Sequence, residues 1–302
     1  MKITFETCDP QQINAVAFYA ALVELTARLS DPERLSLVLS GHYEQSVRTR
    51  LGQGETVGAF SAERITGLNV AKVLPRGDGS CEVVVNAGLL SLEANWGPAL
   101  RIFAHESCHL LTHERREGAR YLRRRAPSGD AYYLDLAAVL IDEYRAERAL
   151  DDFGWVESTG WFASLHDGFR NFSNEVKEAL PVRSQQELER LRDLVSGRFA
   201  EIVTPFAYLA AEWLAQARRP DDHDYVNSPT WRRFVGDHWP ALLAALSTVP
   251  SADHPMDETA FSNAMDLVAD RLRAWLAEVG FQFDDTPEGL FFRILRHDFS
   301  SP

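Results

Sequence analysis

The sequence predicts an α+β protein, mainly helical, and three observations lead there. Residues 68–87 read LNVAKVL, PRGDGS, CEVVVNA, a β-hairpin with β-branched residues on both sides of a Pro/Gly/Asp turn. Residues 131–152, AYYLDLAAVLIDEYRAERALDD, are rich in Ala, Leu, Glu and Arg and hold no Gly or Pro, which favours one long helix. Beyond residue 157 apolar residues recur at helical spacing, so the second half is expected to be all-helical. The expected organisation is a first half, 1–156, with the hairpin and two helices, and a helical second half, 157–302.

Element by element, residues 11–40 read as helical, with Val16, Phe18, Leu22, Leu25 and Leu29 mostly three or four apart. GQGE at 52–55 marks a loop. Pro98 suits a first helical turn, where its missing N–H costs nothing, and Leu100, Phe103, Leu110 and Leu111 carry that helix to about Glu117. The polar stretch 116–130 ends in Pro and Gly, as a loop or a short exposed helix would. FGW at 153–155 stops the long helix. Ser184 and Glu187 form an S-x-x-E capping box ahead of Leu188, Leu191, Val195, Phe199 and Ile202. Pro205 is expected to interrupt that helix, with FAYLAAEWLAQA resuming it. Residues 228–247 and 257–279 give two more helices, the last stopped by Gly280. Trp213, Trp231, Trp239 and Trp275 read as core.

Composition narrows the function classes. Lys plus Arg total 31 against 44 Asp plus Glu, a net charge of −13. Phosphates and anionic membranes repel such a chain, so neither nucleic acid nor membrane is an expected partner. Cys8, Cys81 and Cys108 are too few and scattered for a disulfide framework. The opening MKITFETCDP lacks the apolar run of a secretion signal, and LAAVLI at 136–141 is far too short to span a bilayer. A cytoplasmic location is expected.

AHESCHLLTH at 104–113 carries the chemistry. His105 and His109 are four apart, so on a helix their Cβ atoms stand about 5–6 Å apart on one face and aim two imidazoles at one ion. Glu106 sits roughly 100° further round, poorly placed as a ligand but within reach of a water at the ion. A zinc hydrolase needs that set: neutral nitrogens to hold Zn2+ and a carboxylate to take a proton. The next long helix offers the third ligand. In IDEYRAERAL (141–150) Glu143 and Glu147 are four apart and share a face, while Asp142 points elsewhere. Glu143 is the expected ligand, and Glu147 the expected acceptor from a ligand histidine's free nitrogen. The plainer alternative for this pair is a solvated acidic face with Arg145 and Arg148 nearby.

FAHESCHLLTH followed by EYRAERAL resembles the ImmA/IrrE-type metallopeptidases, which carry A-H-E-x-x-H-x-L-x-H on one helix and E-x-x-A on a later one. The resemblance implies a zincin-like zinc metallopeptidase, often one that cleaves a transcriptional repressor. It makes His105, His109 and Glu143 the ligands and Glu106 the catalytic base. Ala146 matches the family's Ala and His113 its trailing histidine. The chain departs from the family at Cys108, where Gly is usual, and at LDDFGW after the second motif. The match spans 60–100 residues.

The remaining candidates have plain and sharp readings. Cys108 is a small core residue or a reactive thiol beside the ligands. His113 assists at the site or interacts with the last carbonyls of its helix. Tyr132, Tyr133 and His223 are candidate oxyanion donors. Arg115, Arg116, Arg120, Arg123, Arg124 and Arg125 form a solvated loop or dock an acidic partner. Three other functions stay open. One is a zinc-binding regulatory or scaffold protein without peptidase activity. Another is a SprT-like protease, for which His166 would be the third ligand. The last is a plain helical interaction module with a chance motif, which would bind no metal.

Overall fold

A computed structural model describes residues 1–51, 63–64, 67–68, 71–122, 131–152, 161–215, 224–286 and 289–296. The expected loop at 52–55, the stop at 153–155 and His223 lie outside the described residues. The chain forms two compact units interleaved in sequence. The first comprises Met1–Glu117, Ala149–Trp155 and Ala252–Pro255. The second comprises Gly118–Arg148, Val156–Ser251 and Met256–Pro302.

The first unit contains β1 (Lys2–Glu6), α1 (Ala15–Thr26), β2 (Leu35–Ser40), α2 (Tyr43–Leu51), the short pair β3 (Glu63–Arg64) and β4 (Gly67–Leu68), β5 (Ala71–Pro75), β6 (Cys81–Asn86) and α3 (Gly97–Glu114). Its main sheet has the order β1-β2-β6-β5. The expected hairpin is present, with β5 antiparallel to β6 from Ala71↔Val85 to Pro75↔Cys81. The other pairings are parallel: β1 with β2, and β2 with β6 from Leu35↔Cys81. Leu35, Leu37 and Leu39 pack on one face with Ala17, Ala21 and Leu25 of α1 and Ala99, Phe103 and Leu110 of α3. Val38 packs on the other face with Tyr43 and Val47 of α2. A parallel strand covered on both faces reads as a near-continuous apolar run, which LSLVLS is.

That strand corrects the expected helix over 11–40. Asn14 caps α1, its Oδ1 accepting from the Val16 and Ala17 amides at 3.0 and 3.1 Å, and the helix stops at Thr26. Pro32 then starts a single 3-10 turn before β2. Gly41, just past β2, has no room for a side chain: a Cβ there would meet the Thr7 carbonyl oxygen at 2.2 Å.

The second unit holds most of α4 (Ala131–Asp152), then α5 (Trp161–Ala179), α6 (Gln185–Ala215), α7 (Pro229–Phe234), α8 (Trp239–Leu246), α9 (Glu258–Val279), β7 (Phe281–Thr286) and β8 (Gly289–Ile294). The last turn of α4, from Ala149, belongs to the first unit. The core of the second unit is aromatic: Trp275 meets Phe206 at 4.5 Å and Phe199 at 4.8 Å between ring centroids, and Trp213 meets Trp239 at 5.1 Å. All four expected core tryptophans are buried.

Three expectations fail in this unit. It is not all-helical, because β7 and β8 pair antiparallel from Phe281↔Ile294 to Thr286↔Gly289. Pro205 does not interrupt α6. A mid-helix proline costs about 3 kcal/mol, but burying Ile202, Val203, Phe206 and Leu209 returns about 1.5–3 kcal/mol each. Residues 228–247 form two helices rather than one, parted around Gly236. The capping pair at 184–187 is present in altered form. Ser184 Oγ accepts the Glu187 amide at 3.2 Å, while Glu187 Oε2 accepts the Arg183 amide at 2.6 Å. The class is α+β and mainly helical, and among the described residues no helix is long and apolar enough to cross a membrane.

Candidate metal centre

The motif lies on α3, which has Pro98 in its first turn and Asn95 Oδ1 accepting from the Gly97 amide at 3.3 Å. The helix is fixed along its length. Ala99, Phe103 and Leu110 enter the core of the first unit. Arg28 donates to Ser107 Oγ at 2.6 Å and pairs with Asp253 at 3.3 Å. Glu114 accepts from the Ser30 amide, the Ser30 hydroxyl and the Asp31 amide at 2.9, 2.7 and 2.9 Å. Arg115 donates to the Ala252 carbonyl at 2.8 Å. A helix held at both ends and along its buried face presents its other side chains in set directions.

His105 is 7% exposed and His109 half-buried. Their rings stand edge to face, 4.7 Å apart at 76°. Their Nε2 atoms approach to 3.0 Å, so both imidazoles aim the same nitrogen at one point. Glu106 is half-buried, and no hydrogen bond or ion pair engages its carboxylate among the described residues.

Glu143 lies on α4, also half-buried. One ligand atom from each of His105, His109 and Glu143 can be chosen so that all lie within 4.8 Å of one another. Among the described residues no other three His, Cys, Asp or Glu side chains gather in this way. Asp142 points elsewhere, as expected, its carboxylate beside Gly118. A solvated acidic face does not describe this helix: Arg145 is 0% exposed, its Nε donating to the Pro250 carbonyl at 3.2 Å, and Glu147 is 5% exposed. Ala146 is buried too.

Sequence reasoning missed Tyr208 on α6, whose hydroxyl donates to Glu143 Oε2 at 2.6 Å. One signal was present. Over 205–215, PFAYLAAEWLA, Tyr208 and Glu212 are the polar side chains in an otherwise apolar run, one turn apart.

The other candidates fall elsewhere. Cys108 is fully buried with its thiol on the Ala104 carbonyl at 3.4 Å, a core residue. His113 is half-buried in the last turn of α3. Tyr133 is 0% exposed, and its hydroxyl accepts the Phe283 amide at 3.1 Å. The Tyr132 ring packs on Phe283 at 4.3 Å, and burial pushes its phenol well above the ordinary range. His166 on α5 lies 3.7 Å from Asp167 and joins no ligand group among the described residues. Of the arginine run, Arg115 and Arg116 are exposed, while the side chains of Arg120 and Arg123 to Arg125 lie outside the described residues. Compared with protein families, with characterised proteins and with solved structures, this chain matches none.

Proposed function

We propose that this chain is a cytoplasmic zinc metallopeptidase of zincin-like design, hydrolysing peptide bonds in a protein substrate such as a repressor. The observation that carries this reading is the convergence of ligand atoms from His105, His109 and Glu143 to within 4.8 Å. Two imidazoles and one carboxylate are the donor set of catalytic zinc, which takes three protein ligands and leaves one position open. The spacing fits as well. Nitrogens about 2.0–2.1 Å from a tetrahedral ion stand roughly 3.3 Å apart, and the two Nε2 atoms are 3.0 Å apart.

When bound, zinc supplies Lewis acidity: it lowers the pKa of a water and polarises a carbonyl. The chain's own residues do the rest. Glu106, next to His105 on α3, takes the proton from the attacking water and passes it to the leaving amine nitrogen. The anchoring of α3 holds Glu106 and both imidazoles in fixed relation, so little reorganisation accompanies the reaction. Buried Glu147, one turn beyond Glu143, is a fitting acceptor for the free nitrogen of a ligand histidine.

The test compares zinc-loaded wild type with Glu106→Gln on an unstructured protein substrate, with zinc content measured on both. Glu106→Gln is expected to keep its zinc and lose about 10²–10⁴-fold in hydrolysis rate. Equal rates for the two would contradict the role of Glu106. Zinc retained by both with no hydrolysis by either would favour the regulatory metal-binding reading.

A further inference from the structure

We infer that Tyr208 is a positioning residue for the metal site: its hydroxyl engages one oxygen of Glu143 and holds this carboxylate as a one-oxygen ligand. The inference rests on the metal reading above and goes beyond it, in assigning a residue that neither motif contains. Three observations lead to it. The Tyr208 to Glu143 Oε2 distance of 2.6 Å is that of a charge-assisted O–H···O⁻ bond, roughly twice as strong as a neutral one. Both partners belong to the second unit and sit on long helices, so the bond is part of that unit's own packing. The Tyr208 backbone is fixed by its neighbours, with Ala207 at 0% and Leu209 at 1% exposure.

Two consequences follow. A glutamate side chain loses rotamer freedom when it is ordered. With Tyr208 in place much of that ordering belongs to folding rather than to metal binding. The phenol also occupies one carboxylate oxygen, which disfavours two-oxygen attachment and keeps the donor count at three. Three donors make an open catalytic site, where four would make a closed structural one.

The test is a cycle of zinc affinities, measured by competition with a chromogenic chelator, on wild type, Tyr208→Phe, Glu143→Ala and the double variant. Melting of the metal-free forms serves as the folding control. Tyr208→Phe is expected to weaken zinc binding by roughly 10–100-fold, the usual effect of losing such a partner. In the Glu143→Ala background it is expected to add nothing. No loss from Tyr208→Phe, or an equal loss in both backgrounds, overturns the inference. Zinc binding indifferent to Glu143→Ala overturns the metal reading itself, a separate outcome. The visible spectrum of cobalt(II)-loaded wild type gives an answer that needs no variant. Intense four-coordinate absorption is expected, and the weak absorption of a higher-coordinate ion would count against one-oxygen attachment at a three-donor site.

Discussion

Ser107 stands between the two motif histidines in sequence, and its hydroxyl hydrogen-bonds to neither. Its hydroxyl donates to the Ala104 carbonyl at 2.6 Å and accepts from Arg28 at 2.6 Å, and the Arg28 side chain is itself 9% exposed. Removing the hydroxyl leaves a largely buried cation short of an acceptor. A hydrogen bond to a charged group contributes about 1.5–3 kcal/mol. Ser107→Ala should therefore lower the unfolding free energy of the metal-free protein by about that much, read from denaturant midpoints at unchanged slope. A change below about 0.5 kcal/mol, the range of neutral surface substitutions, would remove Ser107 from the anchoring of α3. At this scale the site was legible where its geometry is local. His105, Glu106 and His109 share two turns of one helix, so spacing alone sets their directions. Glu143 was legible because its own helix repeats that four-residue logic with Glu147. Tyr208 was not, because its partner stands 65 residues away and only the tertiary fold brings the two together.

Among the elements, α3 carries a pH signature at its far end. Burial pushes the Glu114 carboxyl up, but the hydrogen bonds from Ser30 and Asp31 to its charged form outweigh that and hold it below the ordinary value of 4.5. A carboxyl depressed by folding binds protons more readily in the unfolded chain. Its stabilising contribution is thus fully present above 4.5 and is lost as pH falls through the folded value. The stability of metal-free wild type should fall on acidification below about pH 5, and Glu114→Gln should show a shallower fall over the same range. Parallel slopes for the two would mean that Glu114 does not contribute. Glu6, lowered mainly by its bond to Arg50, adds to the same acid limb in both proteins. The elements that were legible are those whose pairing is short-range. The β5–β6 hairpin closes over five residues, with the Arg76 amide donating to the Ser80 carbonyl at 2.8 Å. Strand β2 was hidden because its partners begin at Lys2 and at Cys81, both more than thirty residues away along the chain. The β7–β8 pair was hidden behind the strong helical signal that ends at Gly280. There a φ of 123° suits glycine and turns the chain from α9 directly into a strand.

At the scale of the whole molecule, the helical content and the lack of a membrane-crossing helix among the described residues agree with composition and periodicity. The division into units was beyond reach, because Ala252–Pro255 joins the first unit from far along the chain, through partners such as Arg28 and Arg115. Ordinary sequence patterns report neighbours within a helix or hairpin, and such long returns leave no mark on them. The proposed function depends on one zinc ion at His105, His109 and Glu143. The most direct test is metal content by elemental mass spectrometry on dialysed protein, for wild type, His105→Ala and Glu143→Ala. About one zinc per wild-type chain is expected, and loss of that zinc in both variants. Wild-type protein that carries no zinc and is not stabilised when zinc is added would contradict it, and so would variants that keep their zinc.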